Sequence, residues 1–222
     1  IRAETIFVFD HTGPIGGIVT RAPSLRKVDA TFVGRTAHAG IEPEKGRSAI
    51  TAAARAVSRM SLGRIDEGST ANIGTISGGT ATNVVAERCR ITAEARSLDD
   101  GILSQQIMGI LDALTWAATE TEVDLETTVV TEFTGYRIPP SDPGLAIARR
   151  ALTACGFTPH EVTTGGGSDT NAFRANGISS INLCNDMMDV HTGSERIAVT
   201  SIERAVDVAV ALIRESTAPT AS

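Results

Sequence analysis

Val28-Asp-Ala-Thr-Phe-Val33 alternates apolar and polar residues with the period of a half-buried strand, and the elements after it decide the fold. A loop punctuated by Gly and Pro carries His38 to Gly46. An Ala-rich stretch from about Arg47 to Met60 then reads as a helix, with Ile50, Ala53, Val57 and Met60 on one face. Thr70 to Ile76 and Glu87 to Ala95 read as neighbouring strands around a Gly78-Gly79 turn region. Leu103, Ile107, Ile110, Leu111 and Leu114 mark a second helix, and Val123 to Phe133 is a last β-rich run. The order from Lys27 to Phe133 is βαββαβ, the ferredoxin-like arrangement of two helices on one antiparallel sheet.

Outside this block the chain alternates α and β but has few strands. Glu4-Thr-Ile-Phe-Val-Phe9 is a short strand closed by Asp10, followed by a turn with Gly13, Pro14, Gly16 and Gly17. Pro139-Pro-Ser-Asp-Pro143 cannot continue a helix or a central strand and reads as a linker. Beyond it, Leu145 to Cys155 is helical, Gly165-Gly-Gly167 is a turn, Ser179 to Leu183 is a buried strand and Ile202 to Ile213 is a terminal helix. Thr200 and Glu203 are spaced as a capping box for that helix. The tail Ser216 to Ser222 is expected to fray. Pairing of Thr5 to Phe9 with the C-terminal strand would make the βαββαβ block an insertion in an α/β domain, dividing the chain as 1–25, 26–137 and 138–222.

The 222 residues carry 20 Lys plus Arg against 26 Asp plus Glu, a formal charge of −6. That balance excludes a general nucleic-acid binder, which needs a basic surface to displace counterions. No apolar run approaches the roughly 18 to 20 residues that span a bilayer, so no membrane partner is expected. Cys89, Cys155 and Cys184 form no Cys-x-x-Cys pair, which points to a reducing, cytoplasmic setting rather than a disulfide framework. The sequence opens at Ile1, which is read as the loss of a leader or of a larger N-terminal piece.

Several residues could carry chemistry. His191, in Asp189-Val-His-Thr-Gly-Ser-Glu195, follows a strand and could bind a metal through neutral imidazole, or be an ordinary loop histidine. Asp10 is either a ligand at a strand end or a turn-initiating residue before Thr12-Gly13. His38, in a Gly- and Pro-rich loop, is a candidate donor to a developing oxyanion or an exposed loop residue. Gly165-Gly-Gly-Ser-Asp-Thr-Asn171 could offer backbone N–H groups and the Ser168 hydroxyl to an anion, although it lacks the Gly-Lys-Ser/Thr of a P-loop. Arg96 could pair with a substrate carboxylate, or with Asp99 or Asp100. Cys184 could pair with His191 as a nucleophile, but a small core residue is the simpler reading.

In order along the chain, FDHTGPIGGIV, GRTAHAGIEPEKGRSAI, ANIGTISGGTATNVV, AEARSLD, TGGGSDTNAF and VHTGSERI resemble the M20 metallopeptidase family, and most closely its peptidase T-like (tripeptidase) branch. The resemblance runs from about Phe9 to about Ile197. It implies a catalytic α/β domain holding two metal ions, usually zinc, with an inserted lid that also makes a homodimer. On that reading residues 26–137 are the lid, and 1–25 with 138–222 are part of the catalytic domain. The resemblance gives Asp10 to one metal and His191 to the other. It sends His38 to the partner subunit's site, and gives Asn83, Arg96, Gly167, Ser168 and Asp169 to substrate orientation and pocket shape.

The family also uses a His-x-Asp motif, a bridging Asp and a Glu-Glu pair, all before the residue that matches Asp10. Here His11, His38, His160 and His191 are followed two positions on by Gly, Gly, Val and Gly, and no Glu-Glu pair occurs. The expectation is therefore the C-terminal part of a zinc hydrolase of short peptides, inactive alone for want of ligands and general base. An amidohydrolase that deacylates N-acyl amino acids and a non-catalytic dimerisation module are the alternatives. Cys184-Asn-Asp-Met-Met-Asp189 departs from the Gly-containing loop usual in the family.

Overall fold

Apolar residues in the first strand, β1 (Thr5–His11), run parallel to those of a strand almost at the other end of the chain, with Thr5 opposite Ser179 and Phe9 opposite Leu183. This computed structural model describes residues 3–217. The chain forms two compact units: one comprises everything up to Pro23 together with everything from Thr134 on, and the other is Ser24–Phe133.

In the first unit, the glycine turn after β1 leads into β2 (Gly17–Ala22), where Ile18 and Val19 are fully buried. Gly17 is required here, because a Cβ at that position would run into the Cys184 sulfur.

The second unit starts with β3 (Ser24–Val33), which pairs antiparallel on both sides and turns Val28, Ala30 and Phe32 inward. Helix α1 (Ala49–Arg59) is capped by Ser48, whose hydroxyl accepts from the Thr51 N–H at 3.2 Å. Its inward face is Ala49, Ala52, Ala53 and Ala56. Ile50, expected inside, is 42% exposed; Val57 and Met60 are partly buried against the core. Alanines let the helix lie close on its neighbours, and the choice between two adjacent faces comes from what packs against them.

A hairpin that the sequence pattern did not reveal, β4 (Gly63–Asp66) with β5 (Ser69–Gly78), extends the sheet. Then come β6 (Arg88–Ser97), α2 (Asp100–Thr121) and β7 (Asp124–Phe133). Asp99 caps α2 by accepting from Gly101 N–H at 2.8 Å and Ile102 N–H at 3.0 Å. The strand order β4-β5-β6-β3-β7 is the βαββαβ arrangement with β4 added at one edge. Leu103, Ile107, Ile110 and Leu114 of α2 join Phe32, Ile91 and the α1 alanines in one core.

Back in the first unit, β8 (Tyr136–Arg137) pairs with the end of β2. Helix α3 (Pro143–Ala154) has Pro at its start and Asp142 as its cap. After it, β9 (His160–Thr163) runs parallel to β2, and α4 (Asp169–Ala175) precedes β10 (Ser179–Cys184), the partner of β1. An ion pair between Arg174 and Asp142, 2.8 Å and mostly buried, ties α4 to the start of α3. The last helix, α5 (Val199–Thr217), begins one residue before Thr200, so the expected capping box does not form. Ser201 instead donates to the Asp186 carboxylate at 2.8 Å. Ser216 and Thr217 belong to this helix; the rest of the tail lies outside the described residues.

Candidate functional site

Asp10 lies near the end of β1, at a register shift in the pairing with β10 that lets its side chain leave the sheet's alternation. Two buried asparagines of the neighbouring segment hold its backbone. Asn182 accepts from the Asp10 N–H at 3.0 Å and donates to the Asp10 carbonyl at 3.3 Å, and Asn185 donates to the Phe9 carbonyl at 3.0 Å. Neither asparagine stood out in the sequence, since a buried strand amide has no marker there.

The loop carrying His191 is held as firmly. Asp186, Asp189 and His191 all have left-handed backbone conformations, with φ of 64°, 54° and 63°. Such conformations strain residues other than glycine, and here side-chain bonds pin them. The Asp186 carboxylate accepts from Ile15 N–H at 3.1 Å and from Ser201, while its own N–H donates to the Gly13 carbonyl at 2.9 Å. Asp189 pairs with Arg196, and Glu195 accepts from the His191 N–H at 2.9 Å. Where the resemblance would put a Gly-containing loop, acidic residues stand here, and their side chains hold the turn.

Asp10 lies within reach of the charge on His191. Partial burial pushes the Asp10 carboxyl above its ordinary range, the negative charge of Asp169 pushes it further, and His11 and His191 oppose the rise. A carboxylate beside a second carboxylate, with imidazoles alongside, suits a cation. Yet among the described residues no group of three or more His, Cys, Asp or Glu side chains could hold a metal ion. Asp10 and His191 fit one donor each, not a closed set.

Asp169 opens α4, and Ser168 is its N-cap. The Ser168 side chain bonds the backbone of Asn171, whose side-chain oxygen accepts from the Ser168 N–H at 3.0 Å, a complete capping box. Gly165, Gly166 and Gly167 form the turn before it, with Gly166 N–H donating to the Thr164 hydroxyl at 3.0 Å. Tyr136 is close by; burial pushes its hydroxyl up to about 12, with Arg174 and Ser168 opposing.

The remaining candidates lie in the second unit. His38 and Asn83, 45 positions apart, come side by side: His38 bridges to Val84 and the Ala39 N–H donates to the Asn83 carbonyl at 2.9 Å. Both side chains are exposed. Arg96 is half-buried on β6 and forms an ion pair at 2.9 Å with Glu94, a partner not among the alternatives read from the sequence. Asp99 is occupied in capping α2, and Glu94 stands on the same face of the strand two residues away.

Cys184 is 2% exposed, and burial, with Asp186 nearby, pushes its thiol up to about 11. Its histidine neighbour is His11, with Sγ to Nδ1 at 3.4 Å. A thiol so disfavoured from ionising is a core residue, not a nucleophile.

A βαββαβ unit inserted between two segments of an α/β unit, with Asp10 and His191 in segments that follow strands of the latter, is a two-domain build. Residues 23–122 match the peptidase dimerisation domain of the M20 family, so this part of the chain carries that family's domain. Two solved structures share its fold over nearly its whole length. Aminopeptidase PepT from Bacillus cereus is 39% identical, with a TM-score of 0.85 over 98% of this chain and 58% of that one. A tripeptidase from Staphylococcus aureus is 34% identical, with a TM-score of 0.88 over 96% and 57%. The uncharacterized protein YqjE of Bacillus subtilis is 38% identical over 97% of this chain and 58% of its own. The chain thus spans under two thirds of each of these relatives.

Proposed function

We propose that this chain serves a zinc-dependent hydrolase of short peptides, of the tripeptide aminopeptidase type, acting in the cytoplasm as a homodimer. What supports the reading is that Asp10 lies within electrostatic reach of both Asp169 and His191, which come from separate segments, while the Asp10 and His191 backbones are each pinned by hydrogen bonds. Asp10 and His191 would each offer one donor to a pair of zinc ions, and such ions would supply acidification of a water and polarisation of the scissile carbonyl. Ser168 and the N–H groups of Gly167 and Asp169 bind the substrate's carboxylate side, where a helix start and a glycine turn favour an anion. Asn83 and Arg96 orient the substrate, and His38 donates to the oxyanion in the partner subunit's site.

Dimerisation falls to the Ser24–Phe133 unit. Its edge strand β7 pairs on one side only among the described residues and is exposed along nearly all its length, and Ile50 stands out from α1. Among the described residues no helix is long and apolar enough to cross a membrane.

By itself the 222-residue chain hydrolyses nothing, because one donor per ion cannot hold a pair of metals. That same deficit favours, for the isolated chain, the second reading of a dimerising module. The test is hydrolysis of tripeptides and of N-acyl amino acids with zinc present, using this chain and a longer protein that supplies the His-x-Asp and Glu-Glu motifs. The expected result is no turnover by the chain and tripeptide cleavage by the longer protein, reduced at least ~100-fold by Asp10→Ala or His191→Ala. Preference for acylated amino acids would replace the peptidase reading with the deacylase one, and a monomer in sedimentation would remove the homodimer.

A further inference from the structure

Asn171 is the most constrained polar side chain near the glycine turn. It is 1% exposed and sits in the first turn of α4. Its amide oxygen accepts from the Ser168 N–H at 3.0 Å. Its amide nitrogen donates to the Thr134 carbonyl at 2.8 Å and lies 3.4 Å from the Pro23 carbonyl. Pro23 and Thr134 are the residues at which the chain leaves the first unit and returns to it. One amide therefore touches the turn before α4 and both connecting segments.

On the first unit's side, regular pairing is short at the connectors. Pro23 has no N–H to give a ladder, and β8, just after Thr134, is two residues long, with two register pairs to β2. A capping box alone needs only the oxygen of Asn171. Its NH2 group is surplus to capping, and in the buried site it is spent on the two connectors.

We infer that Asn171 is a positioning residue that clamps both connectors and ties them to the Gly165–Ser168 turn. An anion seated on that turn is then coupled through one side chain to the two points where the inserted unit is attached; this consequence rests on the substrate-binding reading above, whereas the clamp itself does not.

The test is hydrogen exchange and 15N relaxation on the 222-residue chain, with no substrate present. Asn171→Asp keeps an oxygen for Ser168 and removes the NH2 group. It is expected to speed exchange about tenfold at the Ile138 amide, which bonds Thr20 across the β2–β8 pair, and to add nanosecond motion at Ser24 and Gly135, with β10 and α3 unchanged. Ser168→Ala, which removes the hydroxyl from the cap and from beside Tyr136 but leaves the Asn171 bonds to Pro23 and Thr134, should loosen α4 and disturb the connectors less than Asn171→Asp does. Unchanged connectors in Asn171→Asp would overturn the clamp, and so would equal loosening in Ser168→Ala, since the effect would then come from helix stability. If the buried carboxylate unfolds the first unit, Asn171→Ser removes the amide without adding charge, and its connectors are compared with those of Ser168→Ala by the same criteria. Because no substrate enters, failure here leaves the peptidase reading standing.

Discussion

The Ser24–Phe133 unit covers the apolar faces of both its helices with its own sheet, whereas the other unit leaves a bare stripe on α5. Val199, Ile202, Val206, Val210 and Ile213 recur every three or four residues along that helix and are 42–71% exposed. Beside them Phe7, Phe9, Ile147 and Leu212 line a groove of about 490 Å³, and among the described residues β1 pairs with β10 alone. The second unit also exposes apolar residues, among them Ile50 on α1, Ile102 and Met108 on α2 and Val129 and Val130 on β7, but in no row as long as that on α5. One unit thus has the closed core of an independent domain, and the other has surface of the kind a partner segment covers.

The sharpest way to break this contrast is Phe32→Ala. Phe32 is wholly buried at the centre of the second unit, and its loss should cost ~3–5 kcal/mol in that unit's urea transition. An equal shift in the other unit's transition would mean that the two cores do not stand apart. Next comes Arg174→Ala in the first unit, which leaves the Asp142 carboxylate buried without its cation. A loss of about 3 kcal/mol is expected in thermal unfolding, and a loss under about 1 would show that water replaces the arginine.

Val206→Asp probes the bare stripe itself. Stability should change by no more than about 0.5 kcal/mol, since the side chain is exposed, while dye binding and self-association through the α5 face should fall. Unchanged association would mean that the stripe holds no copies together.

The smallest effect expected is that of Asp10→Asn. The folded chain raises the Asp10 carboxyl, so its ionised form weakens the fold above the folded-state pKa, and the penalty fades as pH falls through that value and vanishes below the unfolded one. Asp10→Asn should therefore raise the melting temperature slightly at neutral pH and not in strong acid; a lower melting temperature at neutral pH would mean that the carboxylate is held by attraction.

The elements of the second unit were legible because their patterns are long and local: alternation at Val28 to Val33 and the apolar positions of α2 lie where those periods put them. On α1 only Ile50 was misplaced: Ala53 is buried and Val57 and Met60 pack against the core, but the face is centred on small alanines, which close packing favours over a larger apolar side chain. The β4 hairpin escaped because its strand is exposed throughout and has no buried alternation to betray it. Asp10, His191 and the glycine turn were visible as motifs, but Asn171, Asn182 and Asp186, which hold them, were not. A polar residue becomes a clamp only through partners elsewhere in the chain.

By itself the sequence determined the kinds of element, their order, and the small set of residues on which its family resemblance rests. The tertiary structure alone decided which helix face turned inward, that Arg96 meets Glu94, that Cys184 is a silent core thiol, and that Asp10 feels Asp169 and His191 from across the chain. Periodicity is a property of neighbours along the backbone, whereas burial, charge coupling and hydrogen-bond partnership arise only when distant segments share one small volume.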